Sequence, residues 1–120
     1  MKVKTSQAVG RLLDWATASS VNIELPGVAY LPPAELLPNY LKVWSPSARY
    51  EHGGPLIELF GVSTECFSPH DENVKEWTAT LDGEYRQHGP TILIAAMRSL
   101  AALHFGEEIE VPRFLSEEDI

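Results

Sequence analysis

Cys66, His70 and Asp71 are the grouping whose residue types could support nucleophilic catalysis. A cysteine nucleophile needs a nearby base to hold it as the thiolate. Cys66 and His70 are four residues apart, but Ser68-Pro69 between them opposes the helix that would bring them together. The plainer reading is a small buried hydrophobe beside a loop histidine. His104 could also act as a base. Its place near the end of an apolar segment better suits a cation meeting a helix dipole.

Anion binding is the second chemistry on offer. Gly89-Pro90-Thr91 stands where a helix should begin, and a helix N-terminus presents unpaired N–H groups and a positive partial charge. Gly53-Gly54-Pro55 can form a second such turn, and Arg98 lies two turns beyond Thr91. Neither turn is a P-loop, since no Gly-Lys-Ser/Thr follows, and neither is a dinucleotide fingerprint. The plainer reading is capping at both turns and a solvated or salt-bridged Arg98. Trp15, Trp44 and Trp77 read as core residues. Trp44, beside a Pro-rich stretch, is the one expected nearest the surface. The candidate ligand- or partner-binding residues are therefore Trp44, Gly53, Gly54, Thr91 and Arg98; no catalytic residue is assigned.

Other chemistries are disfavoured. One cysteine cannot form an internal disulfide, which suits a reducing compartment. His52, His70, His88 and His104 are scattered without metal-ligand spacing, so neither a metal nor a cofactor is implied. Nine Lys and Arg stand against 17 Asp and Glu, for a net charge of −8. Duplex DNA is held mainly by Lys and Arg, so direct nucleic-acid binding is disfavoured. Residues 106–120 hold six acids and one arginine. That concentration also weakens a DNA-mimic reading, because the charge is in the tail rather than on the body. No apolar run reaches the ~20 residues of a membrane span. Met1–Ser6 is followed by Gly10, Arg11 and Asp14 too soon for a signal peptide. The expected location is the cytoplasm.

The elements that would position these residues follow from pattern. A chain of 120 residues that is 44% hydrophobic suits one domain with its own core. Residues 6–19 read as a helix capped by Thr5 or Ser6, with Val9, Leu12, Leu13 and Ala16 on one face. Gly10 weakens that helix or marks a close backbone approach. Val21–Leu25 alternates like a strand, as does Leu41–Trp44. Seven of the nine prolines fall between Pro26 and Pro69, and the segment 26–50 reads as long ordered loops. Pro55 suits the first position of a short helix that Gly61 can end, with a short strand as the competing reading. Residues 74–81 read as a strand, Asp82-Gly83 as a hairpin turn, and Tyr85–His88 as the returning strand.

The clearest element spans about 89–105, with Pro90 at its start and Gly106 past its end. Leu93, Ala96, Met97, Leu100, Leu103 and His104 form its apolar stripe. Ile109–Val111 can add an edge strand stopped by Pro112. Residues 113–120 read as a frayed acidic tail. The expected fold is α+β: a small, mostly antiparallel sheet packed against the 89–105 helix, with the N-terminal helix alongside.

Several pieces together resemble a known family. They are Met1-Lys2-Val3-Lys4-Thr5, Leu13-Asp14-Trp15-Ala16, Gly53-Gly54-Pro55-Leu56-Ile57-Glu58, Trp77-Thr78-Ala79, Gly89-Pro90-Thr91-Ile92-Leu93-Ile94-Ala95-Ala96-Met97-Arg98 and Gly106-Glu107-Glu108-Ile109-Glu110-Val111-Pro112. In order and spacing the chain resembles the NinX-like proteins of bacteriophages and prophages, a domain of unknown function. The resemblance is weakest over 27–44. It implies a phage or prophage origin and expression inside a bacterial host. It carries no activity and no catalytic residue.

Two functions are expected from these readings. One is a non-catalytic accessory protein that binds a host or phage protein. The other is a small-molecule or anion-binding protein, or a minor enzyme, that uses the turns at 53–55 and 89–91.

Overall fold

A computed structural model of the chain describes residues 1–24, 41, 43–67 and 76–116. The fold is α+β. It comprises β1 (Lys2–Lys4), a 3-10 turn (Thr5–Gln7), α1 (Gly10–Glu24), α2 (Tyr50–Phe60), β2 (Ser63–Phe67), β3 (Glu76–Leu81), β4 (Glu84–Gly89), α3 (Ile92–Phe105) and β5 (Glu108–Glu110). Among the described residues the strands form two antiparallel sheets, β2-β3-β4 and β1-β5.

The α3 helix is the centre of the core. Its start is local chemistry: the Thr91 hydroxyl accepts the Ile94 N–H at 3.1 Å, a side-chain cap. Ala95, Ala96, Met97, Leu100 and Ala101 are fully buried. The helix begins at Ile92 rather than 89, because Gly89 closes β4 and pairs with Trp77. α1 lies alongside closely enough for side chains to reach backbone. The Thr17 hydroxyl donates to the Leu13 carbonyl at 2.8 Å and lies 3.4 Å from that of Met97, and the Ser20 hydroxyl donates to Leu100 at 2.6 Å.

The N-terminal helix differs from its expected 6–19 span at both ends. Thr5 does not cap it. Its hydroxyl donates to the Gly106 carbonyl at 2.7 Å and its N–H to Glu107 at 2.8 Å, which ties the N-terminal segment to the end of α3. The helix starts instead at Gly10, whose φ of +58° is readily available only to glycine. Nothing approaches a Cβ built there, so close backbone packing is not the reason. At the other end, residues 21–24 continue α1 rather than forming a strand. Val21 is fully buried beside Ser20, so the tertiary contact with α3 outweighs the local alternation.

α2 begins five residues before Pro55, so Pro55 lies inside the helix and not at its first position. The expected αL glycine ends it: Gly61 has φ 65° and ψ 40°. Leu41 and Val43 lie in turns, and Trp44 lies outside any strand. Asp82 and Gly83 have φ of 53° and 74°, as a two-residue hairpin turn requires. β5 pairs with β1, Val3 opposite Ile109.

Segment 113–116 is not a frayed end. Leu115 is 8% exposed, and Phe114 meets Trp15 edge-on at 6.5 Å. Trp15 also packs on Phe105 at 5.4 Å. The rest of the expected tail, 117–120, lies outside the described residues.

Candidate functional site

The five candidate residues do not form one site. Trp44 is not at the surface: it is 6% exposed and stacks on His52 with centroids 6.3 Å apart. Gly53 is buried because the chain passes against it. A Cβ there would sit 2.3 Å from the Pro46 carbonyl oxygen and 2.8 Å from a Leu93 methyl. Only glycine fits, so Gly53 brings α2, the loop before it and α3 together rather than cradling a ligand. Gly54 has open space around it, and Thr91 is exposed as the α3 cap. Gly89 resembles Gly53: a Cβ would lie 2.8 Å from the Ala95 nitrogen.

Arg98 is not solvated, and among the described residues no carboxylate forms a salt bridge with it. It is 8% exposed, and it donates from Nε to the Ala8 carbonyl at 2.9 Å and from an η nitrogen to the His88 carbonyl at 2.7 Å. Both acceptors are backbone groups. Burial lowers the affinity of the guanidinium for its proton. One side chain thus joins α3, the segment before α1, and β4.

Cys66 is exposed on β2 rather than buried, and His70 and Asp71 lie outside the described residues. His104 is exposed in the last turn of α3, edge-on to Phe105 at 4.8 Å. Among the described residues no three His, Cys, Asp or Glu side chains converge as a metal-ligand set.

A polar cluster centred on Asp14 was not legible in the sequence. Asp14 is 2% exposed in the second turn of α1. Its carboxylate accepts the Ser45 hydroxyl at 2.7 Å and the Ser47 N–H at 2.9 Å. The Ser45 N–H donates to His52 Nδ1 at 2.9 Å, so that nitrogen is the acceptor here. Burial raises the Asp14 pKa, and the hydrogen bonds from the loop partly oppose that. Although Ser, His and Asp meet here, the serine hydroxyl gives its hydrogen to the carboxylate instead of the imidazole. The group is therefore wired to hold the 45–49 loop and not to activate a nucleophile. The available signal was an acid on the apolar face of a helix, between Leu13 and Thr17.

Among the described residues β2 is an edge of its sheet, and Ser63, Thr64, Glu65 and Cys66 are all exposed. The register places Ser63 beside Thr80 and Glu65 beside Thr78, with Thr78 next to His88. Thr78 Oγ1 and His88 Nδ1 are hydrogen-bonded at 2.9 Å. These residues make a polar outer face, while Ala79 and Leu81 point to the core. A hollow of about 230 Å³ on this side is lined by Ser63, Thr64, Glu65, Thr78, Thr80 and Arg86. An irregularity between Ala79 and Leu81 shapes the far side of the sheet. Next to it Tyr85 takes φ +52°, uncommon for a bulky residue, while its carbonyl accepts the Ser99 hydroxyl at 2.7 Å. A second hollow, of about 290 Å³, is lined by Lys4, Ser6, Gln87, Glu107 and Glu108. Neither hollow is lined by the turns at 53–55 and 89–91.

No protein-family model matches the chain, and no curated protein is similar to it at a significant level. Among the described residues, no helix is long and apolar enough to cross a membrane.

Proposed function

We propose that this chain is a non-catalytic phage or prophage accessory protein that works inside a bacterial host by binding another protein. The observation that carries the reading is the β2 edge. Its backbone is paired with β3 on one side only among the described strands, and four of its residues are exposed. Such an edge presents a row of N–H and C=O groups to which an extended segment can add as a further strand. The polar wiring points the same way, since the buried Asp14 and Arg98 groups spend their hydrogen bonds on the chain's own loops and carbonyls. Phage origin and the host cytoplasm rest on the resemblance to NinX-like proteins.

The test combines capture with mapping. The tagged chain is used to isolate a binding protein from infected bacteria, and amide exchange is then measured on the purified complex. Protection of amides 63–67 is the expected result. A complex that leaves those amides as in the free chain would remove β2 as the contact. Specific retention of a small molecule without any protein would overturn the reading as a whole.

A further inference from the structure

We infer that Glu65 makes the β2 edge selective: it favours an extended partner strand with Lys or Arg opposite it and disfavours a second copy of the same edge. This rests on the reading of β2 as the contact strand. β2 pairs with β3 residue for residue over all five positions, from Ser63↔Thr80 to Phe67↔Glu76. It contains no proline, lysine or bulge, the usual devices that blunt an edge. Its one charge is Glu65, at the centre of Ser63-Thr64-Glu65-Cys66-Phe67.

That central position decides what can pair. Two copies joined antiparallel over the full strand place Ser63 opposite Phe67, Thr64 opposite Cys66, and Glu65 opposite Glu65. Like charges directly opposite one another destabilise a strand pair, and opposite charges stabilise it. Glu65 is exposed at the edge and rimmed by the hydroxyls of Ser63, Thr78 and Thr80 in the 230 Å³ hollow, which can receive hydrogen bonds from an ammonium or guanidinium. Arg86 lines the same hollow from β4, across β3 from the edge, while Glu65 is the charge on the edge strand itself. A chain of net charge −8 also draws a basic segment toward it.

The partner can be supplied by the protein itself. Glu65→Lys and the parent Glu65 chain are prepared in a Cys66→Ser background, because an exposed thiol next to the tested position could cross-link copies. Each is checked for its native NMR fingerprint, then examined alone and as an equimolar mixture at millimolar concentration. The parent and Glu65→Lys chains are expected to stay monomeric alone. The mixture should form a one-to-one dimer about tenfold tighter than either like pair, with amides 63–67 protected and affinity lost in high salt. A parent chain that dimerises through 63–67 would overturn the selection. Glu65→Thr separates the remaining cases. If it self-associates through 63–67 while the charged mixture shows no preference, the edge is open but Glu65 does not select, and only this inference fails. If neither Glu65→Thr nor the mixture associates, the edge is closed and both readings fail.

Discussion

The Asp14 carboxylate accepts the Ser45 hydroxyl at 2.7 Å across 31 positions of sequence. With the Ser47 N–H on its other oxygen, it fastens the loop that leads into α2 to the second turn of α1. That loop then closes on itself. The Ser45 carbonyl accepts the N–H groups of Ala48 and Arg49 at 3.2 and 2.9 Å, and the Pro46 carbonyl fills the space beside Gly53.

Asp14→Ala should therefore destabilise the fold. It leaves the Ser47 N–H, on a residue only 6% exposed, with no acceptor. A buried donor left unsatisfied costs about 1–3 kcal/mol. Asp14→Asn keeps an acceptor for Ser47 and turns an amide donor toward the Ser45 oxygen, so it should lie within about 1 kcal/mol of the parent. Urea unfolding at neutral pH distinguishes the two.

The same residue gives a pH dependence with a definite sign. Its folded pKa is raised above the ordinary 3.8, chiefly by burial. The native state therefore holds the proton more tightly than the unfolded chain does. Stability from this group is complete below about 3.8 and falls as pH rises through the raised value. Asp14→Asn should remove that slope. Its stability relative to the parent should increase from pH 4 upward and then level off, as urea midpoints over a pH series would show.

Arg98→Ala should cost about 2–4 kcal/mol, because two carbonyls lose their donor together with a buried side-chain stem. Leu100→Ala, on the fully buried stripe of the same helix, should cost about 2–5 kcal/mol by leaving a cavity. Arg98→Lys should recover only part of the loss, since one ammonium does not reproduce the planar fork that reaches Ala8 and His88. Denaturant melts of the three variants order them. An Arg98→Ala chain as stable as the parent would show that the two carbonyls find water instead.

Removing the residues after Arg113 should lower the thermal midpoint by about 5–15 °C, from the loss of one buried leucine and the Phe114 contact. Leu115→Ala alone should reproduce most of it. Differential scanning calorimetry of both variants is the measurement, and an unchanged midpoint would mean that Leu115 contributes no net burial.

What the sequence determined by itself is local. A capping threonine before an apolar stripe starts α3, Asp82-Gly83 turns a hairpin, and Gly61 ends a helix in αL. In each, a residue's backbone preference or its nearest hydrogen bond outweighs the alternatives. From these and the strand alternation the α+β class followed. Tertiary structure decided everything that joins distant segments. Thr5 reads as a helix cap until the Gly106 carbonyl takes its hydroxyl. Arg98 reads as a surface cation until Ala8 and His88 supply acceptors from 90 and 10 positions away. Trp44 reads as the core tryptophan nearest the surface until its stacking on His52 and its 6% exposure place it well inside, and residues 21–24 read as a strand until they continue α1 with Val21 buried. β2 became an edge only once β3 and β4 had paired beside it. A polar side chain can bond to solvent, to its neighbours or to a remote carbonyl at comparable free energy. Only the three-dimensional approach of the partner breaks that tie, and sequence spacing carries no record of it.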